Sequence, residues 1–247
     1  MHVIIPKIAH VVTDVMGTTT PQTKIDEHDA YLRRRGTPLI ERALQTGNEE
    51  MISIVERART FIAETDPNAQ VSTTPLLVQY VAEQIANKNM RPPYMDLSGN
   101  VAMVGYQTEE IEREFFEDVA PAFNRWTANN IGIWVYSTGS KNVQRTMFTT
   151  EKDGRLARYV KDFIDTDKTR GAGSKTERKS YERLCEILGA DPEKVVWLSD
   201  NEEEVERSLE ASLNGMLVYR QKGNVPEREY PVITNFDEIE LVPLQKS

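Results

Sequence analysis

Four short segments of the sequence carry residue types that could do chemistry together. In "VVTDVMGTTTP" (11–21) a β-branched run ends in Asp14 and is followed by Gly17 and three threonines. A carboxylate in that place could attack phosphorus to give an acyl-phosphate, splitting one hard displacement into two easier ones. Gly17 would let the backbone turn sharply, and Thr18 offers a hydroxyl and an N–H to phosphoryl oxygens. "VYSTGSKNVQ" (135–144) sets Ser137, Thr138 and Gly139 between another such run and a helical pattern. Hydroxyls and N–H groups at a helix N-terminus bind anions. In "GAGSKTERKSY" (171–181) Lys175 follows two glycines and precedes a helix, where its ammonium could neutralise a nucleophile and a transferring phosphoryl group. "VVWLSDNEEEVE" (195–206) ends a hydrophobic run in Asp200. With Asp14 it could hold Mg²⁺, which takes carboxylates together with water and substrate oxygens. Glu204, one helical turn on, could reach the same ion or its waters. Each residue also has an ordinary structural reading. Asp14, Thr138 and Ser140 could be caps, Lys175 a solvated surface lysine, and Glu202, Glu203 and Glu206 a solvated helix start.

The elements that must position these residues follow from the hydrophobic pattern. "IAHVVTD" (8–14), "IGIWVYS" (131–137), "VKDFID" (160–165), "VVWLSD" (195–200) and "GMLVYR" (215–220) are near-continuous apolar runs alternating with helical patterns. That alternation predicts an α/β fold, a Rossmann-like parallel sheet covered on both faces. Ligands of such sheets bind beyond the carboxyl ends of the strands, which here carry Asp14, Ser137 and Asp200. In "SKTERKSYERLCEILGA" (174–190) Tyr181, Leu184, Cys185 and Leu188 share one helical face, and Gly189 supplies the stop. Residues 22–110 show no comparable strand. "EEMISIVERARTFIAE" and "TPLLVQYVAEQIANK" have apolar residues at helical spacing, and "RPPYMDLSGN" (91–100) reads as a loop. A connection of that length is a subdomain. The expected organisation is a core of residues 1–21 and 111–247, with a mainly helical cap, 22–110, inserted after the first strand.

A net charge of −9 and a pI near 5.1 give nucleic-acid binding no electrostatic support. The stretch from Lys141 to Arg183 departs from this, with twelve Lys/Arg against seven Asp/Glu. It fits a small anionic ligand or a solvated basic face equally. Cys185 is the only cysteine, so a disulfide and a CxxC metal site are both excluded. His2, His10 and His28 lack metal-ligand spacing. No apolar run is long enough for a membrane span and no secretory leader is evident, so a cytoplasmic protein is expected, monomer or homodimer.

The order of the four segments resembles the four motifs of the haloacid dehalogenase superfamily. "DVMGTTTP" is similar to the first motif of its enolase-phosphatase (acireductone synthase) family, which typically reads DIEGTT. "FFEDVAPAFNRWTANNIGIWVYSTGSKNVQRTMF" (115–148) resembles the second-motif region. "KTERKSYERLCEILGADPEKVVWLSDNEEEVERS" (175–208) and "YRQKGNVP" (219–226) resemble the third and fourth motifs and the closing loop. The resemblance implies a Mg²⁺-dependent hydrolase of a small anionic metabolite, with Asp14 as nucleophile and Mg²⁺ ligand. It further implies that Ser137 and Thr138 contact substrate, Lys175 holds the phosphoryl group, and Asp200 and the Met16 backbone carbonyl complete the metal site. The family's reaction, enolisation then dephosphorylation of a diketo-thiopentyl phosphate, belongs to methionine salvage.

One residue departs from that pattern. Met16 stands where the family has the carboxylate that protonates the leaving alcohol and later activates water. Loss of a general acid/base typically forfeits about 10²–10⁴-fold in rate. Three readings follow: a leaving group that needs no protonation, as in phosphonoacetaldehyde hydrolases that break a C–P bond through a lysine imine; a substitute acid; or a ligand-binding protein with weak turnover. Lys24 and Lys88 are the nominal candidates for an imine lysine. "LSGNVAMVGY" (97–106) also departs, since enolase-phosphatases carry a Trp and a basic residue there.

Overall fold

The structure is a computed structural model, and it describes residues 2–149, 156–167 and 171–244. Part of the basic stretch, residues 150–155 and 168–170, lies outside the described residues. In chain order the elements are β1 (Val3–Ile8), β2 (His10–Thr13), α1 (Lys24–Gln45), α2 (Glu49–Thr65), α3 (Thr74–Ala86) and α4 (Pro92–Gln107). Then come α5 (Val119–Ala128), β3 (Gly132–Tyr136), α6 (Lys141–Phe148), β4 (Val160–Ile164), α7 (Arg178–Leu188) and β5 (Val195–Ser199). The last are α8 (Glu202–Glu210), β6 (Asn214–Val218), β7 (Val232–Ile233) and β8 (Ile239–Pro243). The chain forms two compact units: Met1–Gln22, Glu114–Ser137 and Phe148–Ser247 make up the first, Thr23–Arg113 and Thr138–Met147 the second.

In the first unit, β4-β3-β2-β5-β6-β7 form a parallel sheet in that order. The chain runs outward from β2 through β3 to β4, then returns to the other flank of β2 with β5. The order therefore reverses beside β2, and the carboxyl ends of β2 and β5 flank the switch point where α/β sheets open a crevice. Both strands are buried on both faces: Val11, Val12, Val195, Val196, Trp197 and Leu198 are shut off from solvent. Their consecutive apolar residues follow from that environment. The insertion follows β2, the first strand of this sheet. A further strand precedes it: β1 pairs in parallel with β8 outside the main sheet.

Helix α7 turns Tyr181, Leu184, Cys185 and Leu188 into the core. It ends at Gly189 in the left-handed conformation, φ 63°, as its spacing predicts. Burial pushes the Cys185 thiol up to about 11, in keeping with a packing residue.

The second unit is helical. Helix α1 packs on α3 and α4, and α2 on α4, through buried Tyr31, Leu32, Ile54, Val81, Leu97 and Val101. Residues 91–100 do not form the expected loop. Pro92 and Pro93 occupy the first turn of α4, where the missing N–H costs no hydrogen bond and the fixed φ suits the helix. Asn142 of α6 donates to Glu50 at the start of α2, Nδ2–Oε1 2.9 Å. Among the described residues no helix is long and apolar enough to cross a membrane.

Candidate active site

Sheet register brings the expected residues to one edge. Thr13 stands opposite Val135 on β3 and Leu198 on β5, and the Asp14 N–H bonds the Leu198 carbonyl at 2.9 Å. Asp14 therefore leaves β2 level with the last residues of both neighbours. Beyond it the chain folds back tightly: the N–H groups of Thr18, Thr19 and Thr20 all point to the Val15 carbonyl, at 3.3, 2.9 and 3.0 Å. Gly17 makes this possible at φ 79°, a conformation that costs other residues more. A Cβ on Gly17 would also lie 2.1 Å from Asp200 Oδ2, so the Asp200 carboxylate rests against the bare glycine backbone.

Lys175 comes from the loop three residues before α7. Two buried tyrosines shape that loop: Tyr136 Oη donates to the Gly173 carbonyl at 2.6 Å, and Tyr181 Oη to the Lys175 carbonyl at 2.8 Å. Gly173 itself has φ 99°. The loop delivers the ammonium inward, where Nζ lies 2.8 Å from Asp14 Oδ1 and 3.0 Å from Glu204 Oε1. All three side chains are more than nine-tenths buried. Burial alone would lower the Lys175 pKa, but the Asp14 and Glu204 charges override it and hold the ammonium above its ordinary value.

Glu204 is reached because Asn201 caps α8, accepting from the N–H groups of Glu203 and Glu204. Its second oxygen accepts from Ser199 Oγ at 2.7 Å. Burial raises the Glu204 pKa, with Lys175 opposing and Asp14 adding to the rise. Asp200 is pushed up to about 7, first by burial and then by the nearby Asp14 charge. Asp14 and Glu204 thus share one ammonium, and Asp200 lies near enough to feel its charge. Among the described residues no three His, Cys, Asp or Glu side chains are gathered closely enough to hold a metal ion by themselves.

Asp14, Lys175, Asp200 and Glu204 are brought together, and Met16 lies in the same loop. Ser137 follows β3 at the same edge, its N–H on the Ile164 carbonyl at 3.1 Å. Thr138 and Gly139 fall in the second unit, where the Gly139 carbonyl accepts from Gln144 Nε2 at 2.6 Å. Thr18 is bound up with Asp200 and its own loop. Its side chain is fully buried, its N–H bonds Val15, and its hydroxyl accepts from the Asp200 N–H at 3.0 Å and donates to Asp200 Oδ1 at 3.4 Å. The two groups expected to meet a phosphoryl oxygen thus bond within the loop and to Asp200. Sequence reasoning also missed Ser199, Asp118 and Arg220. Arg220 donates from Nε and Nη2 to the Thr18 carbonyl at 3.2 and 3.1 Å, and its only sequence signal is its place in "YRQKGNVP", which resembles the family's closing loop.

Known proteins resemble this chain in sequence and in fold. The haloacid dehalogenase-like hydrolase family model matches residues 8–206. The enolase-phosphatase E1 of Komagataella phaffii is 30% identical over 186 residues, 73% of this chain and 78% of that protein. The enolase-phosphatase E1 of Synechococcus sp. (strain CC9902) is 23% identical over 244 residues, 94% of this chain and 98% of that protein. Among solved structures, the UTR4 protein of Saccharomyces cerevisiae shares the fold with a TM-score of 0.68 and 21% identity, over 94% of this chain and 99% of that one. The chain belongs to the haloacid dehalogenase-like hydrolases and resembles the enolase-phosphatases among them.

Proposed function

We propose that this chain is a Mg²⁺-dependent hydrolase that cleaves a small phosphorylated metabolite through a phosphoryl-aspartate at Asp14. The observation that carries the reading is the buried contact of Lys175 with Asp14, 2.8 Å, at the switch-point end of β2. A strand-end carboxylate paired with a buried ammonium is placed to act as a nucleophile, and a preorganised cation is worth most where charge develops out of water. In the first step an Asp14 oxygen attacks phosphorus and the bond to the leaving oxygen breaks. In the second, water attacks the same phosphorus, releasing phosphate and restoring the Asp14 carboxylate. Lys175 holds its charge beside the reacting centre throughout, and Ser137 lines the phosphoryl side.

The donor set suits Mg²⁺, because three carboxyl groups face one ammonium and a divalent charge balances the excess. Asp14, Asp200 and the Met16 carbonyl would hold it, leaving coordination places for water and substrate oxygens as Mg²⁺ requires. Glu204, whose two oxygens meet Lys175 and Ser199, would reach the ion's waters. Bound there, Mg²⁺ would polarise the phosphoryl oxygens as a Lewis acid.

Within this class the enolase-phosphatase reaction of methionine salvage is the nearest named activity, on the strength of the relatives. Met16 favours a second reading. A thioether neither donates nor accepts a proton, so the substrate is one whose leaving group departs without protonation, a C–P bond included, or turnover is weak and the site mainly binds. Of the nominal imine lysines, Lys24 is buried and ion-paired with Glu27 at 2.8 Å, and Lys88 is exposed.

The test is a panel of phosphomonoesters, enol phosphates, acyl phosphates and phosphonates with and without Mg²⁺, run on wild type and Asp14→Asn. Mg²⁺-dependent turnover lost in Asp14→Asn is the expected result. Tight vanadate binding without turnover favours the binding protein, and full activity in Asp14→Asn overturns covalent catalysis.

A further inference from the structure

We propose that Arg220 is a positioning residue for the Asp14–Asp200 site, acting through Thr18. The inference rests on the functional reading above only in taking these aspartates as the reacting centre. Arg220 lies two residues beyond β6 and is nine-tenths buried. Nε and Nη2 grip the Thr18 carbonyl, while Nη1 reaches Asp118 Oδ1 and Oδ2 at 3.0 and 2.9 Å and the Thr234 carbonyl at 3.1 Å. The guanidinium is sandwiched between Phe116 and Phe236, 4.4 and 4.8 Å from the ring centres. Asp118 is fixed in turn by the Phe236 N–H at 2.6 Å, and the Phe116 N–H holds the Thr19 carbonyl at 3.1 Å.

A buried ion pair is a poor stability device, because desolvation offsets most of the attraction and an apolar replacement of both partners is often neutral. What a guanidinium adds is a planar fork with fixed directions. Here the fork is aimed at a catalytic-loop carbonyl. Thr18, held from behind, presents its hydroxyl to both the N–H and the carboxylate of Asp200, across the bare Gly17 backbone. A line of direct contacts runs from Asp118 through Arg220 and Thr18 to Asp200. Its effect is to set where the Asp200 carboxylate stands relative to Asp14.

Two variants separate positioning from mere support. Arg220→Lys keeps a buried cation beside Asp118 but loses the fork; Asp118→Leu/Arg220→Met removes both charges. Amide hydrogen exchange over residues 15–20 and at Asp200, melting temperature, and kcat and KM on the best substrate of the panel are measured for each. The expected result is a folded protein with faster exchange at the Asp200 amide and a kcat loss of about 10- to 100-fold, the cost of small misplacements at a reacting centre. KM stays near the wild-type value. Adding Arg220→Lys to Thr18→Ala costs no further activity, since the two act along one line. Wild-type exchange and kcat in the folded variants, or full multiplication of the Thr18→Ala and Arg220→Lys losses, overturns the proposal. Unfolding of both variants also overturns it, because Arg220 is then a support of the fold. If wild type hydrolyses nothing in the panel, the functional reading fails, and the exchange measurements still decide the role of Arg220.

Discussion

Lys175 bridges Asp14 and Glu204 with one ammonium, 2.8 Å from the first and 3.0 Å from the second. Lys175→Met leaves two buried carboxylates facing each other without their cation. Breaking a buried pair in this way costs about 3–5 kcal/mol, so a lower melting temperature is expected. Loss of the cation beside the nucleophile removes about 10²–10³-fold in kcat. Calorimetry and steady-state kinetics on the same preparation check both.

Gly17→Ala attacks the loop from another side. The new Cβ has a left-handed backbone to bear and meets Asp200 Oδ2 at 2.1 Å. Strain of about 1–3 kcal/mol and displacement of the Asp200 carboxylate follow. The variant should melt lower and bind Mg²⁺ more weakly in a calorimetric titration.

Met16→Glu restores a proton donor at the one position where the family's chemistry is interrupted. A gain of about 10²-fold or more on simple alkyl phosphates means the remaining machinery is intact. Loss of a native activity instead means the apolar side chain serves a leaving group that needs no acid. The substrate panel run on both proteins distinguishes the two.

In the helical unit, His28 is buried with Nε2 2.7 Å from Tyr106 Oη. Burial, reinforced by the Lys24 charge, lowers its pKa to about 4. The unfolded imidazole takes a proton near its ordinary value of about 6.5, so between these pH values the unfolded state binds more protons than the folded one. His28 therefore costs nothing above that range and destabilises progressively as pH falls through it, by on the order of 3 kcal/mol in full. Resistance to denaturant should weaken from neutral pH toward pH 4, and His28→Gln should flatten that slope.

Much of the sheet is legible in the sequence because β2, β3, β5 and β6 are largely covered on both faces and read as near-continuous apolar runs, whereas β4 carries an exposed Lys161 and a half-buried Asp162. Strands β1 and β8 are not: β1 contains Pro6, alternates in burial and pairs with residues more than two hundred positions away. Helix α1 is hard to read because its buried face mixes Lys24, His28 and Gly36 with the apolar positions. The two prolines of α4 suggest a loop, yet at a helix start they are at home. Asp14, Lys175, Asp200 and Glu204 stand out because strand ends and adjoining loops fix them locally. Arg220 and Asp118, 102 positions apart, meet only when the fold joins them.

The central claim is a covalent bond between phosphorus and Asp14. Borohydride reduction during turnover converts an aspartyl-phosphate to homoserine, which mass spectrometry locates by peptide. The account predicts homoserine at Asp14, dependent on substrate and absent from Asp14→Asn. Steady turnover with an unmodified Asp14, or homoserine at another carboxylate, contradicts it.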